Sequence, residues 1–157
     1  MSGMREEVDP FVQERIPYTN DFLYRPSQFR LTRYPIPELR LDPGDGKRLL
    51  DIGCNWGRWS IAAARKGYAV SGIDPSPQAI LAARRVAKQL ALDIDYRSGS
   101  GEIIPFAERS FDVVFSYSVR MSIFFRDNIV RSCMRPRRSV VSRATRRFWC
   151  MRRTACT

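Results

Sequence analysis

Acidic residues and glycine-containing turns recur at intervals in this chain: Asp51-Ile-Gly53-Cys-Asn55-Trp-Gly57, then Asp74, then Gly99-Ser100-Gly101-Glu102, then Ser116-Tyr117-Ser118. Gly53 lets the backbone turn sharply, Asn55 is among the few non-glycine residues that tolerate positive φ, and Gly57 allows a ligand or a following helix to come close. A helix starting there offers unpaired N–H groups and the positive end of its dipole to a carboxylate or phosphate. Asp74, 17 residues beyond Gly57, is a carboxylate that can accept both hydroxyls of a ribose. Each piece has a plainer alternative: Gly53–Gly57 as only a tight turn, Asp74 as an acid capping the helix that follows Pro75-Ser76. Taken together, in this order and spacing, they favour an adenosine-containing cofactor. The sequence has no histidine, which excludes His-based triads, His general bases and His-containing metal sites. Its four cysteines (Cys54, Cys133, Cys150, Cys156) form no CxxC pair, so neither a zinc cluster nor a disulfide framework is expected.

The elements needed to position these residues are legible in the flanking pattern. Arg48–Gly53 is a short apolar run ending in glycine, as a buried parallel strand does. Residues 55–66 suit a helix closed by Gly67, and Tyr68–Ile73 a second strand ending at Asp74. Ser76 is an N-cap with Pro77 at the first helical position, and Gln78–Leu92 places Ile80, Ala83, Ala87 and Leu90 on one face. Ile94 and Tyr96 mark a third strand and Phe111–Tyr117 a fourth, more apolar one. Strands and helices alternating over connections this short predict right-handed crossovers and an α/β fold on a parallel sheet. Ligands in such sheets bind at the carboxyl ends of the strands, which is where all four stretches fall.

Asp51 discriminates between cofactors. The dinucleotide fingerprint G-x-G-x-x-G needs no acid two residues before its first glycine, and here Gly53-x-Asn55-x-Gly57 follows Leu49-Leu50-Asp51. This pattern resembles motif I of the class I S-adenosylmethionine-dependent methyltransferases. The resemblance continues through Val70-Ser-Gly-Ile-Asp74, Gly99-Ser-Gly-Glu-Ile-Ile-Pro-Phe106 and Ser110-Phe-Asp-Val-Val-Phe115, and covers about residues 47–118. It is nearest to the small-molecule branch of that family and implies a Rossmann-like sheet, S-adenosylmethionine as cofactor, a small organic methyl acceptor and no metal. By resemblance, Gly53, Asn55 and Gly57 pass under the methionine part of the cofactor and Asp51 lies near its ammonium group, directly or through water. Asp74 would accept the ribose hydroxyls, Ser100 and Gly101 would lie at the adenine, and Ser116 would face the reactive end. Asn55 stands where the family has a glycine. Ser100 stands where it has an aspartate, so one charge-assisted hydrogen bond becomes neutral, weaker by roughly 1 kcal/mol. No catalytic base is identified; without histidine it must be Asp, Glu, Tyr or Lys.

The chain divides into an N-terminal lid or linker over residues 1–43, a cofactor-binding core over 44–119 and an arginine-rich tail over 120–157. The first part is rich in proline and aromatics, with Tyr18, Phe22 and Tyr24 as candidates to line an acceptor pocket. The net charge of +11 is distributed unevenly: residues 120–157 hold eleven arginines against the single acid Asp127. The family pattern weakens after Val119. Met121–Met134 suits one helix, and the remainder is expected to be irregular, with strands 3-2-1-4 of the family sheet retained and its C-terminal strands missing. That would leave Val113–Phe115 as an open apolar edge and give little or no turnover. The tail reads as a basic arm for nucleic acid or anionic lipid, as a family-specific extension, or as out-of-frame translation of a G+C-rich gene. Arginine without lysine, and without period, favours the last. With no apolar run long enough to span a bilayer and no secretion signal at the N-terminus, a cytoplasmic location is expected.

Overall fold

A computed structural model describes residues 7–16, 31–117, 134–144 and 147–152. In chain order the elements are α1 (Pro10–Gln13), β1 (Arg48–Ile52), α2 (Arg58–Arg65), β2 (Ala69–Asp74), α3 (Pro77–Gln89), β3 (Ile94–Ser98), β4 (Phe111–Tyr117), β5 (Met134–Ala144) and β6 (Arg147–Arg152). They form one six-stranded sheet in the order β3-β2-β1-β4-β5-β6. The first five strands pair in parallel and β6 runs antiparallel to β5. The sheet order β3-β2-β1-β4 is the one the sequence predicts for a Rossmann-like α/β fold.

Local chemistry explains the helix boundaries. In α3, the Ser76 hydroxyl accepts from the Ala79 N–H at 3.3 Å and Pro77 opens the helix, where its missing N–H costs nothing. Ala79, Ile80, Ala82, Ala83, Val86 and Ala87 are its buried face. α2 begins three residues later than expected, because Gly57 at φ +87° is its N-cap and Asn55 belongs to the preceding turn. In α1, the Asp9 carboxylate accepts from the Phe11 N–H at 2.8 Å.

The sheet packs on both faces. Leu49, Val70, Val113 and Phe115 meet Ala62 and Ala63 of α2 on one side. On the other, Leu50, Ile52, Ile73, Phe111 and Val114 lie under Ile104 and Phe106 from the loop before β4. The described parts of the N-terminal segment pack into the core: Val8, Val12, Ile16 and Tyr34 are buried with Trp56, Ile61, Ala82 and Val86. Proline density forbids a long helix there but does not prevent apolar side chains from docking on α2 and α3. Tyr18, Phe22, Tyr24, Ser118 and residues 121–133 of the expected helix lie outside the described residues, and Met134, its expected last residue, opens β5 instead.

The expectation of an irregular tail, absent C-terminal strands and an open β4 edge is corrected. β5 pairs with β4 from Val113↔Ser139 to Tyr117↔Arg143, and β6 forms a hairpin back onto β5. The ladder is irregular at its start, where β5 advances five residues from Met134 to Ser139 while β4 advances two. Pro136 falls in that excess, as its lack of an N–H requires. A buried strand with unpaired N–H and C=O groups is costly, and Val140-Val141 supplies enough β preference to satisfy β4 even inside an arginine-rich segment.

Candidate functional site

The site assembles at the carboxyl ends of β1 and β2. As the chain leaves β1, Gly53, Asn55 and Gly57 all take positive φ, at 73°, 49° and 87°. This alternation makes the turn fold back on itself, and Asn55 fills its middle position because an asparagine side chain tolerates the left-handed region. The turn is tied to β2, with the Gly53 and Cys54 N–H groups donating to the Ile73 carbonyl at 2.8 and 3.0 Å.

Asp74 bridges the turn and the next helix. One carboxylate oxygen accepts from the Asn55 N–H at 3.0 Å and the other from the Ser76 N–H at 2.9 Å. Each oxygen keeps a lone pair, and the residue is only half-buried, so the group remains open to further donors. Capping is therefore one of its jobs, alongside anchoring the turn after β1.

Asp51 lies beneath the turn, 1% exposed. The Ser60 hydroxyl of α2, itself fully buried, donates to Asp51 Oδ2 at 2.6 Å. Burial pushes the Asp51 carboxyl up to about 6; the Ser60 hydrogen bonds and the Arg58 guanidinium oppose this, while the Asp74 charge adds to it. Arg58 is buried too, with its guanidinium over the rings of Trp59 and Tyr117 at 5.4 and 5.0 Å. Tyr96 of β3 is buried nearby, with Cys54, Ile80 and Ala83. Its ring occupies the space that side chains at Gly72 and Gly57 would need: a Cβ at Gly57 would sit 2.2 Å from the Tyr96 hydroxyl. That hydroxyl is buried beside the Ser60 hydroxyl. Burial raises its pKa well above the usual phenol value, and raises that of the neighbouring Cys54 thiol likewise.

The remaining candidates sit further out. Gly99 donates to the Asp74 carbonyl at 3.1 Å, which brings the loop after β3 alongside β2. In that loop the Ser100 hydroxyl oxygen accepts from the Glu102 and Ile103 N–H groups, both at 3.3 Å, so it caps its own turn and has its proton left to donate. Gly101 follows it, half-buried. Ser116 pairs in register with Ile52, so it lies on the sheet face opposite Asp51. Its hydroxyl is buried and without a hydrogen-bond partner among the described residues. The structure thus brings Asp51, Gly53, Asn55, Gly57 and Asp74 together, with Ser100, Gly101 and Ser116 around them. Sequence reasoning missed Ser60 and Tyr96. The available signal was a lone serine within the apolar run Trp59–Ala64, nine residues after an acid. Among the described residues no cluster of acidic or cysteine side chains is arranged to hold a metal.

A parallel sheet with an acid near the end of each of its first two strands and a left-handed turn between them is a Rossmann-like α/β arrangement. The particular family follows from comparison: the model of the methyltransferase domain family matches residues 49–141, and the chain belongs to that family. The match extends into β5, beyond the point at which the sequence pattern alone weakens. Among curated proteins, a ubiquinone biosynthesis O-methyltransferase from Methylocella silvestris is 34% identical over 119 residues, spanning 76% of this chain and 46% of that protein. One from Brucella anthropi is 46% identical over 77 residues, 49% of this chain and 31% of that protein. The chain thus spans less than half the length of these relatives. Geranyl diphosphate C-methyltransferase from Streptomyces coelicolor, solved with S-adenosyl-L-homocysteine, superposes with a TM-score of 0.59 at 20% identity. It covers 64% of this chain and 38% of that one, and the likeness shows the fold.

Proposed function

We propose that the turn after β1 binds S-adenosylmethionine and that the chain belongs to an enzyme transferring its methyl group to a hydroxyl of a small organic acceptor. The observation that carries this reading is the coupling of Asp74 to the positive-φ turn through the Asn55 N–H, with an acid buried beneath that same turn. The donor chemistry discriminates between ligands. A dinucleotide would bring its pyrophosphate to this turn, against the Asp51 charge, whereas the ammonium of an amino-acid moiety complements it. Asp74 supplies the charged acceptor that a pair of ribose hydroxyls requires. The choice of oxygen as acceptor atom rests on the names of the curated relatives.

When bound, the cofactor supplies a methyl on a sulfonium, whose departure as a neutral thioether needs no acid. The protein's part is to align the reacting atoms and exclude water. Asp51 would hold the cofactor's ammonium and Asp74 its ribose hydroxyls, with the turn passing under the methionine part. The base for the acceptor hydroxyl comes from Asp, Glu, Tyr or Lys. Low turnover from this chain rests on the acceptor side alone, since the β4 edge is paired. Titration calorimetry with S-adenosylmethionine, S-adenosylhomocysteine and NAD tests the reading: both sulfur compounds should bind and NAD should not. Binding of NAD alone would overturn it.

A further inference from the structure

Ser60 lies outside any contact assigned to the cofactor, yet it is fully buried and spends its hydroxyl proton on Asp51. A serine on the buried face of a helix ordinarily satisfies a carbonyl four residues back. Here it reaches across to a carboxylate on the neighbouring strand, at a distance typical of a bond to a charged oxygen. α2 has no side chain capping its N-terminus, and the Ser60 hydroxyl in its first turn is turned to Asp51 instead. We propose that Ser60 is a positioning residue that holds Asp51 in its charged form for the cofactor's ammonium, so that cofactor binding releases a proton from Asp51 and strengthens as pH rises.

This rests on the proposed cofactor reading. The described groups that face Asp51 are Arg58 and Ser60 from α2, Asp74 from β2, Cys54 from the turn and Tyr96 from β3, while β4 offers the uncharged Phe115 in register. Arginine keeps its charge at every pH that matters here. Tyr96 and Cys54 are pushed further from neutrality by burial, so neither changes charge between pH 5 and 7. Asp74 is separated from Asp51 by a control variant. The sign is fixed by the direction of the Asp51 shift. Its carboxyl is held near 6 in the free protein, so a ligand that needs the anion binds more weakly below that pH and reaches its full affinity above it.

The test is calorimetric titration of the full chain with S-adenosylhomocysteine at pH 5, 6 and 7, in pairs of buffers with different ionisation enthalpies. With the midpoint near 6, the wild type should bind about tenfold more tightly at pH 7 than at pH 5 and release about half a proton at pH 6. Ser60→Ala should move the midpoint up by about one pH unit, making binding about fivefold weaker at pH 6 while leaving it within about twofold of wild type at pH 7. Asp51→Asn should bind weakly with no pH dependence over this range, which removes Asp74 as the titrating group. Wild-type binding that is flat from pH 5 to 7, or an unshifted midpoint in Ser60→Ala, would overturn the inference and leave the cofactor reading intact. No binding at any pH would overturn both. Should Ser60→Ala unfold, Ser60→Cys, with a weaker donor of similar shape, should give an intermediate shift; a wild-type midpoint in that variant also overturns the proposal.

Discussion

At the scale of single residues, the site sets stability against binding. Asp51 is a carboxylate that folding moves from an ordinary value near 3.8 to about 6. The folded chain therefore holds more protons than the unfolded one between those values. The ligand-free protein should lose stability as pH rises from 4 to 6 and recover none above it, a penalty of about 1–3 kcal/mol. Asp51→Asn, which keeps an acceptor for Ser60, should raise urea stability at pH 7.5 by a similar amount while weakening cofactor binding. A fall in stability would show that the charge is well compensated. Asp74→Ala should weaken cofactor binding by about 1–3 kcal/mol in calorimetry, through loss of its charged acceptor. Gly57→Ala meets two obstacles, a left-handed backbone and the Tyr96 hydroxyl. Adding Tyr96→Phe removes the nearer atom, so a double-mutant cycle by urea unfolding should give a coupling above about 0.5 kcal/mol, and additive effects would contradict the contact. The sequence made Asp51, Asn55 and Asp74 legible because their types are unusual beside glycines at strand ends. Ser60 and Tyr96 were not legible, because their roles arise only when β1, β3 and α2 converge. One-dimensional periodicity reports a buried face, not what its polar member touches.

At the scale of elements, β1 to β4 and α3 were readable because each is bounded by a glycine, proline or capping serine and has one consistent period. β5 was not. Its apolar content is Met134, Val140, Val141 and Ala144 among arginines and serines, with Pro136 inside, and its partner strand decides its conformation. A strand whose stability comes from the ladder gives little signal in its own sequence. Val140 pairs with Val114 on one side and Met151 on the other, a central position. Val140→Pro should therefore cost about 3 kcal/mol or more in urea unfolding, or leave the protein aggregated through the bared β4 edge. An unchanged unfolding curve would mean that β4 does not rely on β5.

Across the whole molecule, tertiary contacts tie the N-terminal segment to the site. The Tyr34 hydroxyl donates to Gln89 Oε1 at 2.7 Å and accepts from the Asp9 N–H at 2.9 Å, while Gln89 Nε2 donates to the Glu7 carbonyl at 2.6 Å. One phenol thus clasps residues before α1 to the end of α3. Its ring stacks on Trp56, centroids 6.0 Å apart, and Trp56 sits within the turn between Asn55 and Gly57 with no exposed surface. The sequence indicated aromatics near the site and could not say which would turn inward, since that depends on where the extended segment crosses α3. An indole built into the turn, shielded from water and stacked on a phenol, gives the site an optical readout of its own. In a chain with Trp59 and Trp149 changed to phenylalanine, ultraviolet emission would come from the turn alone. Blue-shifted light would mark a docked N-terminal segment, and a red shift its release.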